Sequence, residues 1–421
     1  MESRLTLRQR TVPFIIAVLL GLQFKDPSRV YVILLVAFGG IFLAAWVWAY
    51  WLSREIKLLR ETRVNWAQVG GHIEEKLTLS NTSFFPAPHV ELNDHSTVPD
   101  FDANRVTSIS AGGIDQWTVT AFCRRRGMFQ LGDAEIRTGD PFGMFDVTIH
   151  AALYAPILVL PQTAPLPEFN VTSSGMLGEG QPRRNSPQQT MHASTVREFA
   201  EGDSLKLVHW PTTARMQKRY VRLMESAPEG NWWIILDLDQ RSMFGTDWDS
   251  IEEQSVSVAA SLTDLGLRER KSVGLVSNGA ELTWLSPQKG ETQQWEILQA
   301  LAKARPGSLS LADLLDKMQT SFGSHHSLLI VTACTQVDWI KSLPSLLKRG
   351  LLPTVVLMDP ASFEGGGSLE SVVSALTAQN IQYHIIPRGL IEPPKMDPRS
   401  PFHKWAGRVT PLGSVIPIKS S

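Results

Sequence analysis

No charged side chain occurs between Arg29 and Arg54. A helix over Val30–Ser53 is long enough to cross a hydrocarbon core of ~30 Å. Uncharged stretches of this length are rare in soluble folds, so the first expectation is a membrane anchor. Trp46, Trp48, Tyr50 and Trp51 crowd one end of the run, where aromatic rings favour the bilayer interface. An earlier uncharged run, Thr11–Phe24, contains Pro13 and Gln23 and spans only ~21 Å as a helix. It follows Arg4, Arg8 and Arg10, as a signal-peptide core would. Lys25-Asp26-Pro27-Ser28 stands where a small-residue cleavage site belongs. The two runs therefore predict a hairpin of two transmembrane helices within residues 1–60. Arg4, Arg8 and Arg10 precede it, and Arg54, Lys57, Arg60 and Arg63 follow it. The turn has only Lys25 and Arg29. The basic flanks predict that both hairpin ends, and the chain beyond, face the cytoplasm of a multi-pass cell-membrane protein.

The remaining length of the 421-residue chain suits two further domains. Lys+Arg is 40 and Asp+Glu is 41, a formal charge of −1, so nothing global draws the chain to nucleic acid. Cys123 and Cys334 are the only cysteines. That excludes a disulfide scaffold and a zinc site built on several cysteines. Residues 66–165 alternate short apolar runs with turn residues. Strands are predicted at Ile73–Leu79, Val90–Leu92, Val106–Ile109, Trp117–Cys123 and Ile157–Leu160. The economical reading is an all-β, sandwich-like domain of roughly immunoglobulin type. Residues 162–230 read as a linker. It is rich in proline at its start and in paired charges later.

Residues 231–387 alternate strand and helix patterns, beginning with the apolar run Trp232–Leu238. This predicts a doubly wound α/β domain with a largely parallel sheet. Asn278-Gly279 reads as the turn of a hairpin that adds one antiparallel edge strand. Ligands of such sheets bind at the carboxyl ends of the strands, which here means Asp237, Asp239 and the stretch Thr332–Cys334. Residues 388–421 read as an irregular tail.

Three segments carry a family resemblance. The first is Arg125-Arg126-Gly127-Met128-Phe129-Gln130-Leu131-Gly132 with Gly139-Asp140-Pro141-Phe142-Gly143-Met144-Phe145. The second is Val196-Arg197-Glu198-Phe199, Glu201-Gly202-Asp203, His209-Trp210, Ala214-Arg215 and Val221-Arg222. The third is Ile235-Leu236-Asp237 leading to Ser242-Met243. Together they resemble a bacterial membrane family catalogued as domain of unknown function fifty-eight. The resemblance implies a von Willebrand factor A-like domain and a MoxR-type AAA+ ATPase as partner. His209 departs from the pattern, in which Asp is usual.

Two chemistries need weighing. A competent von Willebrand A site reads Asp-x-Ser-x-Ser, and its oxygen ligands suit Mg²⁺. Here the stretch is Asp237-Leu238-Asp239-Gln240-Arg241. Asp239 and Arg241 replace the serines, so Asp237 and Asp239 form a degenerate metal site. Asp203, His209 and Ser204 suggest a hydrolase triad only weakly, because no Gly-x-Ser-x-Gly elbow occurs. Arg197, Glu198, Asp203, Trp210, Arg215 and Arg222 form either an ion-pair brace or a docking surface for a protein. The expectation is a membrane-anchored, non-enzymatic adaptor without cofactor or catalytic residues, which binds a MoxR-type ATPase or its client. The alternative is a metal-dependent receptor with its soluble part outside the cell.

Overall fold

The computed structural model describes residues 2–166, 195–199, 210–218, 220–223, 231–318, 326–393, 406–409 and 415–418. The chain forms two compact units. One comprises residues 1–162, 298–303 and 393–421, and the other residues 163–297 and 304–392.

The first unit opens with strand β1 (Glu2–Leu7) and helices α1 (Thr11–Lys25) and α2 (Arg29–Glu55). Ten strands follow: β2 (Ile56–Thr62), β3 (Trp66–Gln68), β4 (His72–Asn81), β5 (Ala87–Asp94), β6 (Arg105–Ile109), β7 (Ile114–Phe122), β8 (Gly127–Leu131), β9 (Ala134–Gly139), β10 (Phe145–Ala151) and β11 (Ala155–Leu160). A five-stranded sheet has the order β1-β10-β9-β5-β6. A second sheet has the order β2-β4-β7 and a third the order β3-β11-β8. One core joins the first two sheets: Leu58, Leu77 and Leu79 pack with Val90, Leu92, Ile136, Val147 and Ile149. Alternation places these residues inward, as in β10, where Phe145, Val147, Ile149 and Ala151 are buried.

The sandwich recruits residues from outside the expected 66–165 span. β1 pairs antiparallel with β10, Leu7 opposite Phe145. β2 pairs antiparallel with β4, Ile56 opposite Asn81. Strands therefore flank the helical pair on both sides in sequence, and both belong to one sandwich.

The helices also differ from the expectation. α2 is the one described helix long and apolar enough to cross a membrane, and α1 is shorter. Only the part of α2 before Phe42 stays clear of the sandwich core, and Phe42 itself packs on it, 5.3 Å from the Phe145 ring. Ala45, Ala49 and Leu52, followed by Ile56, enter the sandwich core. Their spacing of four, three and four residues makes a single helical stripe, and the two alanines permit close approach. Val30, Val32, Ile33 and Val36 remain exposed.

Two charges assigned to the membrane flank belong to the sandwich. Arg60 reaches Glu75 and Asp94, each at 2.6 Å, and the three side chains are 5%, 0% and 3% exposed. Arg63 pairs with Glu74 at 3.3 Å.

In the second unit, β12 (Thr195–Glu198) and β13 (Tyr220–Leu223) form an antiparallel ribbon with helix α3 (Trp210–Met216) between them in sequence. The expected linker thus contains regular structure. The α/β part comprises β14 (Trp232–Leu236), α4 (Ile251–Arg268), β15 (Val273–Ser277), β16 (Thr283–Gln288), the first half of α5 (Glu291–Lys303, whose residues 298–303 belong to the first unit), α6 (Leu311–Met318), β17 (Ser327–Thr332), α7 (Leu343–Lys348), β18 (Leu352–Met358), α8 (Glu370–Ala378) and β19 (Gln382–Ile386). Its six strands run in the order β16-β15-β14-β17-β18-β19, and only β16 is antiparallel to its neighbour.

One face of this sheet presents Trp233, Ile235, Leu328, Ile330, Val355 and Leu357 to α6, α7 and α8. α4 covers the other face. Ser250 caps α4 by accepting from the backbone N–H of Glu253, and Ser250-x-x-Glu253 is a capping-box sequence. Gly266 lets α4 approach closely, because a Cβ there would stand 2.7 Å from the Trp232 ring. The tail, expected to be irregular, carries a short antiparallel ribbon, β20 (Ala406–Val409) with β21 (Val415–Ile418).

Candidate functional site

β14 is central, with β15 on one side and β17 on the other, so the chain turns in opposite directions at its carboxyl end. This is the switch point at which open α/β sheets hold ligands. Asp237 leaves β14 here, Asn278 leaves β15, and Thr332 ends β17.

Asp237 is fully buried. One carboxylate oxygen accepts from the Thr332 hydroxyl at 2.7 Å. The other accepts from the Asn278 amide at 2.7 Å and from the Asp239 backbone N–H at 3.1 Å. Burial pushes the Asp237 carboxyl above its ordinary range, and these three donors oppose that push. The network is closed on every side. Asn278 donates to the Leu309 carbonyl and accepts from the Leu238 N–H. Thr332 accepts from the Cys334 N–H at 2.9 Å.

Asn278 therefore does not serve the exposed two-residue turn that Asn278-Gly279 suggested. β15 ends at Ser277 and β16 begins at Thr283, so the connection is longer. Asn278 is buried and braces the acid. Nothing local to Asn278 signals this, because its partner lies 41 residues away.

Asp239 is nearly buried and faces Arg241. The guanidinium meets both carboxylate oxygens, at 2.5 to 3.0 Å. That pairing holds the Arg241 pKa above its ordinary value. The donor set does not fit a divalent cation. Asp237 is occupied by three donors, Asp239 by a guanidinium, and the position of the second expected serine is itself cationic. Among the described residues, no group of three His, Cys, Asp or Glu side chains is placed to hold a metal.

The signature residues are only partly described. Arg197 and Glu198 lie in β12 and Arg222 in β13, with Arg222 opposite Val196 in the register. Trp210 opens α3 and is 69% exposed. Arg215 and Met216, at the other end of the helix, are exposed too. The Thr213 hydroxyl accepts from the Tyr220 N–H at 3.0 Å, which ties α3 to the ribbon. Asp203, Ser204 and His209 lie outside the described residues.

A cleft of about 590 Å³ in the first unit is lined by Arg8, Arg137, Glu91, Glu135 and Asp146, among others. Arg137 is paired tightly with Glu135 at 2.5 Å, whereas Arg8 is exposed and only grazes Asp146, at 3.4 Å.

Comparison with known proteins adds a family. The family described as Protein of unknown function DUF58 matches residues 195–365. An uncharacterized protein of Mycobacterium tuberculosis is 25% identical over 176 residues, covering 40% of this chain and 55% of the relative. The uncharacterized protein YeaD of Bacillus subtilis is 26% identical over 182 residues, covering 42% of this chain and 43% of YeaD. The chain spans about half the length of these curated relatives. Among solved structures, a CARDB domain from Pyrococcus furiosus aligns over 25% of this chain and 94% of its own, at 10% identity and a TM-score of 0.20.

Proposed function

We propose that this chain is a membrane-anchored, non-enzymatic adaptor. Its α/β domain is von Willebrand factor A-like and docks a protein partner, a MoxR-type AAA+ ATPase or that ATPase's client. The observation that carries this reading is the exposed helix α3, with Trp210, Arg215 and Met216 available within the matched segment. A bracing role would bury Trp210. Exposed Trp and Arg are the residue types that dominate binding energy at protein interfaces.

The membrane part is read as a two-helix hairpin with both soluble units on the cytoplasmic side. Two observations support it. β1 and β2 belong to one sandwich, so the chain leaves and re-enters the same unit around α1 and α2. With Arg8, Arg60 and Arg63 paired to sandwich residues, Arg4, Arg10, Arg54 and Lys57 still outnumber Lys25 and Arg29 of the turn. The alternative, a metal-dependent receptor, is disfavoured by the Arg241 guanidinium on Asp239.

The test is capture of the ATPase by full-length chain in lipid nanodiscs. Trp210→Ala and Arg215→Ala each leave melting unchanged and weaken capture by about 2 kcal/mol or more, the usual threshold for an interface hot spot. Capture at wild-type affinity by both variants would defeat the docking surface.

A further inference from the structure

The free apolar length of the hairpin is too short for a bilayer. α1 has 15 residues, a rise of ~22 Å. α2 has 27, but from Ala45 onward one stripe of it is buried in the sandwich. About sixteen residues precede Ala45, a rise of ~24 Å against a hydrocarbon core of ~30 Å. Something at the base of the hairpin must meet the missing apolar depth.

The pairing registers show what lies there. Leu7 pairs with Phe145, Ile56 with Asn81, Ser80 with Ile114, Ala87 with Ile109, and Val90 with Thr138. The connections 82–86, 110–113 and 140–144 therefore emerge at the end of the sandwich where the helices begin and finish. Each presents an exposed apolar side chain at its tip or edge: Phe84, Ile114 and Phe142, at 86%, 65% and 50% exposure. Exposed Trp46 and Trp51 of α2 join them, with the Trp51 ring edge-on to Phe84 at 6.5 Å.

Both aromatic tips are held by a buried polar residue. Asn81 donates to the Phe85 and Ser110 carbonyls and accepts from the Ser83 hydroxyl at 2.7 Å. Trp48 donates to the Pro86 carbonyl at 2.9 Å and stacks near Phe85. Asp140 accepts from the N–H groups of Phe142 and Phe145, at 2.8 and 2.6 Å. Gly143, at φ +66, completes that turn. Two tight, internally satisfied turns thus point phenylalanines outward. Arg8, Arg10, Arg54 and Lys57, all exposed, surround the same end.

We propose that this end of the β unit is itself a membrane-contact surface. Phe84 and Phe142, with Trp46 and Trp51, form an aromatic collar seated in the lipid interface, and the four basic residues face the phosphate headgroups. Aromatic side chains favour that depth, and basic residues favour the anionic surface. The collar seats the sandwich directly on the bilayer and makes up the apolar length that the hairpin lacks. This inference rests on the membrane-anchor reading above.

The test uses full-length chain carrying Cys334→Ser, with one added cysteine at Phe84→Cys, Phe24→Cys or Arg63→Cys. Phe24 marks the hairpin turn, and Arg63 follows β2 at its far end. Each cysteine carries a polarity-sensitive fluorophore. The protein is reconstituted in phosphatidylethanolamine–phosphatidylglycerol vesicles containing shallow brominated lipid. The expected result is blue-shifted emission and severalfold stronger quenching at Phe84 than at Arg63. Quenching at Phe24 with Phe84 no better than Arg63 would overturn the collar and leave the anchor standing. No quenching at either Phe24 or Phe84 would overturn the anchor and the collar together.

Discussion

Two buried acidic clusters of the molecule are satisfied differently. In the sandwich, Glu75 and Asp94 share the buried guanidinium of Arg60. At the α/β switch point, Asp237 is satisfied by a hydroxyl, an amide and a backbone N–H, while the cation, Arg241, sits on the rim and pairs with Asp239. The first arrangement is a strut, because each charge is fixed by its partner. In the second, neutral donors hold the buried acid and the arginine stays on the rim with Asp239.

The largest effect should come from the strut. Arg60→Met leaves Glu75 and Asp94 buried without a counter-charge, a loss of about 3–5 kcal/mol. Denaturant unfolding of the detergent-solubilised chain measures it. A change below about 1 kcal/mol would mean that water reaches the acids, and the contrast with Asp237 would dissolve.

Next comes the Asp237 network. Thr332→Val is nearly isosteric. It removes one donor from buried Asp237 and the acceptor of the Cys334 N–H, for about 1–3 kcal/mol. If Thr332→Val is neutral, the Asp237 network is not closed as described.

Smaller still is the response to Mg²⁺. A cation bound at a hundredfold excess over its Kd would add about 2.7 kcal/mol. Wild-type chain should melt at the same temperature in millimolar Mg²⁺ and in chelator. A rise that vanishes in Asp237→Ala would restore a working metal site.

The smallest effect concerns the cysteines. Burial pushes the Cys123 thiol up to about 12 and also raises that of Cys334, but Cys123 is buried and Cys334 only half-buried, so maleimide at neutral pH should modify Cys334 well before Cys123 in the folded chain. Rapid modification of Cys123 would show that the sandwich opens.

The same contrast explains what the sequence revealed. The α/β domain is legible because its central strands are continuous apolar runs, such as Trp232–Leu236 and Leu328–Val331, set between helices. The sandwich was legible only in part. β10 alternates strictly, Phe145, Val147, Ile149 and Ala151 inward, yet the family motif reaches only its first residue, Phe145, and no strand is expected over the rest. β1 was hidden because its partner strand lies some 140 residues away, as in Thr6 and Asp146. Arg60 looked like a membrane-flanking charge because nothing local betrays Glu75 and Asp94 as its partners. At the site, Asp237 and Asp239 were found from their place after the first strand. Asn278 was misread because Asn-Gly has a strong turn preference of its own. That Trp210 is exposed, not buried, could not be read from composition.

In the proposed topology the hairpin crosses the membrane and returns, with everything after α2 on the side of the N-terminus. Lys25, Asp26 and Arg29 mark its turn, and charged side chains are costly inside a bilayer. The direct measurement is labelling of Asp26→Cys, in a Cys334→Ser background, with a membrane-impermeant maleimide on intact cells. The account predicts labelling from outside without permeabilisation. Labelling only after the cells are opened would contradict it.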